Sequence, residues 1–126
     1  MDFNPNINYP ITALATPKGF GAIAIIRISG YNLAPLIKKL TNGINLSHRK
    51  VTYVSLFSPE PVRLLDKCLL TYFHAPNSYT GEDVLEISCH GGDYIPQTIL
   101  EALYGVGINA AKPGEFSYRA FLNNKI

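Results

Sequence analysis

Residues Ala22 to Ser29 read AIAIIRIS, an isoleucine-rich apolar run closed by Gly21 and Gly30. A β-branched run bounded by glycine on both sides predicts a strand. Strand periodicity places Ile23, Ile25, Arg27 and Ser29 on one face. Arg27 is the one charge in the run. A second predicted strand, Asp83 to Cys89, repeats the arrangement. There Val84, Glu86 and Ser88 share a face opposite Leu85, Ile87 and Cys89. Burying a lone charge on a core strand costs on the order of several kcal/mol or more. Arg27 and Glu86 therefore each need a partner. They pair with each other or with backbone groups, or they face a polar ligand pocket; composition alone leaves both readings open.

Other elements follow from turn formers and periodicity. Met1 to Tyr9 is Asn-rich and reads as a loose start, and Thr12 to Ala15 as a short strand. Thr16 to Gly21 reads as a loop. Leu33 to Leu40 predicts a short helix with Leu33, Leu36, Ile37 and Leu40 on one face, closed near Gly43. Strands are expected at Val51 to Phe57, stopped by Pro59 and Pro61, and at Leu64 to Phe73. Ala75 to Gly81 is a loop of turn formers. His90-Gly91-Gly92 turns the chain, with Asp93 as a candidate N-cap for a helix that tolerates Pro96 in its first turn. That helix buries Ile95, Ile99, Ala102, Leu103 and Val106 and stops at Gly105 or Gly107. A short strand, Ile108 to Ala111, and a last helix, Glu115 to Asn123, complete the order. The expected fold class is α+β: one mainly antiparallel sheet with helices packed on it.

The chain has 126 residues, which favours a single domain over 1–126. An apolar fraction of 47% and a charged fraction of 16% exclude a disordered chain. A net charge of +2 is too mild to indicate nucleic-acid binding by itself. Cys68 and Cys89 lie in apolar stretches without CxxC spacing, and read as free buried thiols of a reducing cytosol. Met1 to Pro10 lacks the pattern of a signal peptide. No apolar stretch approaches the roughly 20 residues of a membrane span. A soluble, cytoplasmic protein is expected. Because a helix pattern runs to Lys125-Ile126, the chain is expected to be part of a longer parent.

Several chemistries are disfavoured by spacing. Gly19 to Ala24 fits G-x-G-x-x-A but precedes a strand, whereas a dinucleotide fingerprint follows one. No G-x-x-x-x-G-K-[ST] occurs, so the chain has no phosphate loop and is not expected to hydrolyse GTP by itself. His90-Gly91-Gly92 before a helix could hold an anion, or could be a plain glycine turn. Cys89 and His90 point to opposite faces of a strand, against a thiol dyad. His48, His74 and His90 show no metal spacing with the cysteines. Tyr72, Phe73 and Tyr79 could stack on a planar ring or serve as ordinary sheet aromatics.

Four segments carry a resemblance. They are Ala15-Thr16-Pro17-Lys18-Gly19-Phe20-Gly21, Ile25-Ile26-Arg27-Ile28-Ser29-Gly30, the run Ala75 to Glu86 leading into His90-Gly91-Gly92, and Pro113-Gly114-Glu115-Phe116-Ser117 with Arg119 to Asn123 and Lys125. In order and spacing they resemble the N-terminal domain of the tRNA-modification GTPase family MnmE/TrmE. The stretch from Tyr31 to Leu65 matches least, and Ile126 stands where members often begin an Asp-Leu pair. The resemblance implies a fold like the folate-binding domain of aminomethyltransferases. It implies binding of 5-formyltetrahydrofolate as one-carbon donor and formation of a homodimer. Carried over by motif, the folate contacts fall on Arg27, Glu86 and Lys125, with no catalytic or metal-binding residue in this chain. For the parent it implies a GTPase, with GTP, magnesium and potassium in a domain absent here, acting with an MnmG-type FAD-dependent partner on the wobble uridine of tRNA. Two alternatives stand beside it. One is a self-contained aminomethyltransferase-like enzyme, although such enzymes are much longer and need a catalytic acid in a deep pocket. The other is a ligand-free interaction or dimerisation module in which Arg27 and Glu86 form an internal ion pair.

Overall fold

The computed structural model describes residues 9–18 and 21–126. The expected loose start over 1–8, and Gly19 and Phe20 of the expected loop and glycine pattern, lie outside the described residues. Six strands and three helices follow in the order β1 (Ile11–Leu14), β2 (Ile23–Gly30), α1 (Ala34–Thr41), β3 (Thr52–Pro59), β4 (Val62–Phe73), β5 (Asp83–His90), α2 (Tyr94–Gly105), β6 (Asn109–Ala110) and α3 (Glu115–Leu122). The strands form one sheet in the order β3-β4-β5-β2-β1-β6. Every pairing is antiparallel except β1 with β6. The α+β expectation with a mainly antiparallel sheet is borne out.

The alternation in β2 and β5 decides which face is covered. Ala24, Ile26 and Ile28 of β2 and Leu85, Ile87 and Cys89 of β5 join Val54, Leu56, Cys68 and Leu70 in one core. Ile37 and Leu40 of α1 and Ile99, Leu100 and Leu103 of α2 close over that face. The predicted stripe of α2 is present, with Ile95, Ala102 and Val106 at its half-buried margin. The opposite face of β2 and β5 carries Ile25, Arg27, Glu86 and Ser88, all half-buried. Among the described residues the short α3 reaches this face near its Ser29 end, through Phe116 beside Arg27 and Arg119 on Glu82.

Three expectations need correction. Pro59 was expected to lie beyond its strand, yet it is the last residue of β3. β3 is an edge strand, where a missing N–H costs no ladder bond. The strand expected at Ile108 to Ala111 shrinks to two residues, because β1 offers β6 only the register Ile11 with Asn109 and Thr12 with Ala110. Asp93 occupies the N-cap position of α2, but its side chain makes no capping hydrogen bond. Its backbone is already helical, with φ −90° and ψ −29°, whereas a capping side chain works from an extended backbone.

Candidate ligand site on the open face of the sheet

Antiparallel register sets Arg27 of β2 directly opposite Glu86 of β5, and Glu86 opposite Thr71 of β4. Directly opposed side chains on one face interact most strongly in a sheet. Arg27 donates from Nε at 3.0 Å and from Nη2 at 2.8 Å, and both bonds end on Glu86 Oε2. Among the described residues Arg27 Nη1 and Glu86 Oε1 have no partner. The two side chains keep 30% and 29% of their surface exposed. The Phe116 ring of α3 stands 5.9 Å from the Arg27 guanidinium carbon. A donor, an acceptor and an aromatic face thus meet at one half-open spot.

A dry ionic network holds α3 there. Arg119 and Glu82 are both fully buried, and Arg119 Nη1 donates to Glu82 Oε1 at 3.0 Å. Arg119 Nη2 donates to the Tyr9 carbonyl at 2.8 Å and lies 3.5 Å from Glu115 Oε2, one helical turn away. The buried Ser29 hydroxyl donates to Glu82 Oε1 at 2.7 Å. Asn123 donates to the Thr80 carbonyl at 2.9 Å. Next to it Gly81 has φ +82°, and a Cβ there would stand 2.7 Å from Asn123 Cβ. Glycine is therefore required at Gly81 both for backbone conformation and for space.

The structure brings together two of the three expected ligand residues. Lys125 lies past the end of α3, where its exposed side chain makes no hydrogen bond or ion pair with Arg27 or Glu86. Its backbone N–H closes onto the Ala120 carbonyl at 2.8 Å. Tyr72 faces the covered core and donates its hydroxyl to Asp83 at 2.7 Å, and Tyr79 shares a hydrogen bond with Ser117. The aromatic beside the pair is Phe116. At the His90-Gly91-Gly92 turn, a Cβ on Gly91 would stand 1.7 Å from the Gly21 carbonyl oxygen, so close backbone approach explains that glycine. Cys89 is buried and His90 exposed, as alternation demands; His90 contacts Asp66 instead. No group of three potential metal ligands exists among the described residues, and no helix of the described residues is long and apolar enough to cross a membrane.

Residues 10–125 match the family model described as "GTP-binding protein TrmE N-terminus". The chain belongs to the TrmE N-terminal family. Its relatives include the protein named tRNA modification GTPase MnmE of Helicobacter pylori (strain HPAG1), 48% identical over 120 residues, which are 95% of this chain and 26% of that protein. The proteins of the same name from Wolinella succinogenes and Natranaerobius thermophilus are 42% and 43% identical, over 92% of this chain and 25% and 26% of theirs. The chain thus spans about a quarter of the length of the curated relatives it matches.

Two of the segments that carried the resemblance acquire physical roles. Thr80, Gly81 and Glu82 of one and Glu115, Arg119 and Asn123 of the other form the interlocked seat of α3. Periodicity could have flagged the helix half of this seat. Glu115 and Arg119 stand i and i+4 on one helix face, a spacing that usually marks a solvated pair. Their burial depends on Glu82, 37 residues earlier in the chain. Phe116 carried no signal of its own.

Proposed function

We propose that this chain is the tetrahydrofolate-binding and dimerising N-terminal domain of a GTPase that modifies the wobble uridine of tRNA. One observation supports the ligand reading: the Arg27–Glu86 row is half-open, and among the described residues Arg27 Nη1 and Glu86 Oε1 have no partner. A pterin ring offers an N–H beside a carbonyl. Glu86 Oε1 can accept from the first and Arg27 Nη1 can donate to the second, so the pair need not break. Charge-assisted bonds of this kind are the strong ones. Both side chains stand mid-strand, where the sheet rather than a loop fixes them. Lys125 is assigned to the anionic tail of the folate, which extends away from the pterin. Bound 5-formyltetrahydrofolate supplies a one-carbon unit. The chain's own residues orient it and donate or accept hydrogen bonds.

Family membership supports the rest of the reading. The relatives are named as tRNA modification GTPases, which supports a GTPase parent; we assign GTP, magnesium and potassium to a separate domain of it. It acts in the cytoplasm with an MnmG-type FAD-dependent partner. Residues 1–126 act as one domain within it.

Titrating 5-formyltetrahydrofolate into the chain in a calorimeter tests the ligand reading. Saturable binding near one ligand per chain is expected, and absence of heat at tens of micromolar contradicts it. A second reading, a ligand-free interaction module, draws on the Arg27–Glu86 contact at 2.8 Å. It predicts that the same titration stays flat.

A further inference from the structure

We propose that Phe116 is a specificity-determining residue of the Arg27–Glu86 site, its ring forming the wall against which a planar heterocycle of the ligand packs. This rests on the folate reading of that site and adds a residue to it. Three observations carry it. First, Phe116 departs from the pattern of α3, whose buried positions are Glu115, Arg119 and Ala120. Phe116 is half-buried and belongs to neither the central core nor the ion network. Second, its ring lies 5.9 Å from the Arg27 guanidinium carbon. That is the outer limit of a cation–π contact, and the side chain is only half-buried. Third, the ring's position is imposed. Arg119, three residues on, is locked to Glu82 and Glu115 with no exposed side-chain surface.

The chemistry follows from these positions. Arg27 Nη1 and Glu86 Oε1 can read the polar edge of a flat ring, but two hydrogen bonds in one plane do not fix its tilt. An aromatic side chain beside that plane does, through stacked or edge-to-face contact. In 5-formyltetrahydrofolate the planar pyrimidinone ring of the pterin supplies that surface, and a ligand with no planar conjugated ring gains nothing comparable from such a wall. The buried network behind α3 therefore acts as a positioning device for Phe116, as Arg119 touches no part of the candidate site.

The sequence contains no tryptophan, so Phe116→Trp places a single tryptophan, excited selectively near the red edge of its absorption, at the proposed wall. With 5-formyltetrahydrofolate as titrant, its emission is expected to be quenched along the same curve as calorimetric heat. Affinity should stay within about threefold of the unaltered chain. Phe116→Leu should weaken binding roughly tenfold, and Phe116→Tyr should restore it. Calorimetric binding without any change in the tryptophan emission would overturn the role of Phe116 while leaving the folate site standing. Equal affinity of Phe116→Leu and the unaltered chain, at matched melting temperature, would do the same. If the unaltered chain binds no folate, this inference falls together with the site reading.

Discussion

Arg119 and Glu82 are shut away from water, whereas Arg27 and Glu86 each keep about 30% of their side-chain surface exposed. The same chemistry therefore carries different energies. Partly solvated pairs contribute about 0–1 kcal/mol to stability. Removing one partner of a dry pair strands the other charge and costs about 3–5 kcal/mol. Arg119→Met leaves Glu82 and Glu115 as buried carboxylates without their cation. It should lower unfolding free energy by about 3–5 kcal/mol in urea titrations. Adding Glu82→Gln to it should recover part of that loss, because one stranded charge is gone. A loss below about 1 kcal/mol for Arg119→Met would mean that water reaches the network.

At the scale of elements, Asp83 ties three pieces together at the start of β5. It accepts from the Tyr72 hydroxyl of β4 at 2.7 Å, from Leu33 N–H before α1 at 3.1 Å and from Ala75 N–H at 2.9 Å. Burial pushes its pKa up, but the Ala75, Tyr72 and Leu33 donors, with nearby His74, outweigh it and hold it below the usual carboxylate value. A depressed carboxylate contributes stability that is fully present above its unfolded pKa of about 4 and is lost as pH falls through its folded value. The stability gap between the unaltered chain and Asp83→Asn should thus be widest near neutral pH and shrink as pH drops below about 4. A gap constant down to about pH 2 would contradict this. Most elements were legible in the sequence, because period-two alternation in β2 and β5 and turn residues around them act locally. Cross-strand register was not. Nothing local states that Arg27 meets Glu86 rather than backbone, since 59 residues separate them. Nor does local pattern reveal that α3 lies on the open face, because its anchor, Glu82, stands far off in the chain, just before β5. Lys125 was legible only by resemblance, and its side chain stands apart from the pair.

At the scale of the molecule, the described residues form a sheet with two helices on one side and one short helix on the other, an asymmetric arrangement. The covered side is dry. Burial first, then nearby Asp66, pushes the Cys68 thiol up to about 12 and the Cys89 thiol to about 11. A disulfide-exchange reagent at about pH 8 should react with the folded chain about a hundredfold or more slower than with the urea-unfolded chain. Equal rates would show that the covered side opens. The other side offers Ile23, Tyr53 and Leu69 as exposed apolar residues. Self-association is expected of the domain, and sedimentation at tens of micromolar should find a species heavier than 13.9 kDa. A purely monomeric boundary would count against dimerisation by this domain alone. A ligand site and a structural clasp at the Arg27–Glu86 row are separated by measuring 5-formyltetrahydrofolate affinity and melting temperature on one protein, Glu86→Gln. For a ligand site, binding should weaken by about 1.5–3 kcal/mol, roughly ten- to a hundredfold, with at most about 1 kcal/mol lost from stability. Unchanged affinity together with a large drop in melting temperature would contradict a ligand site.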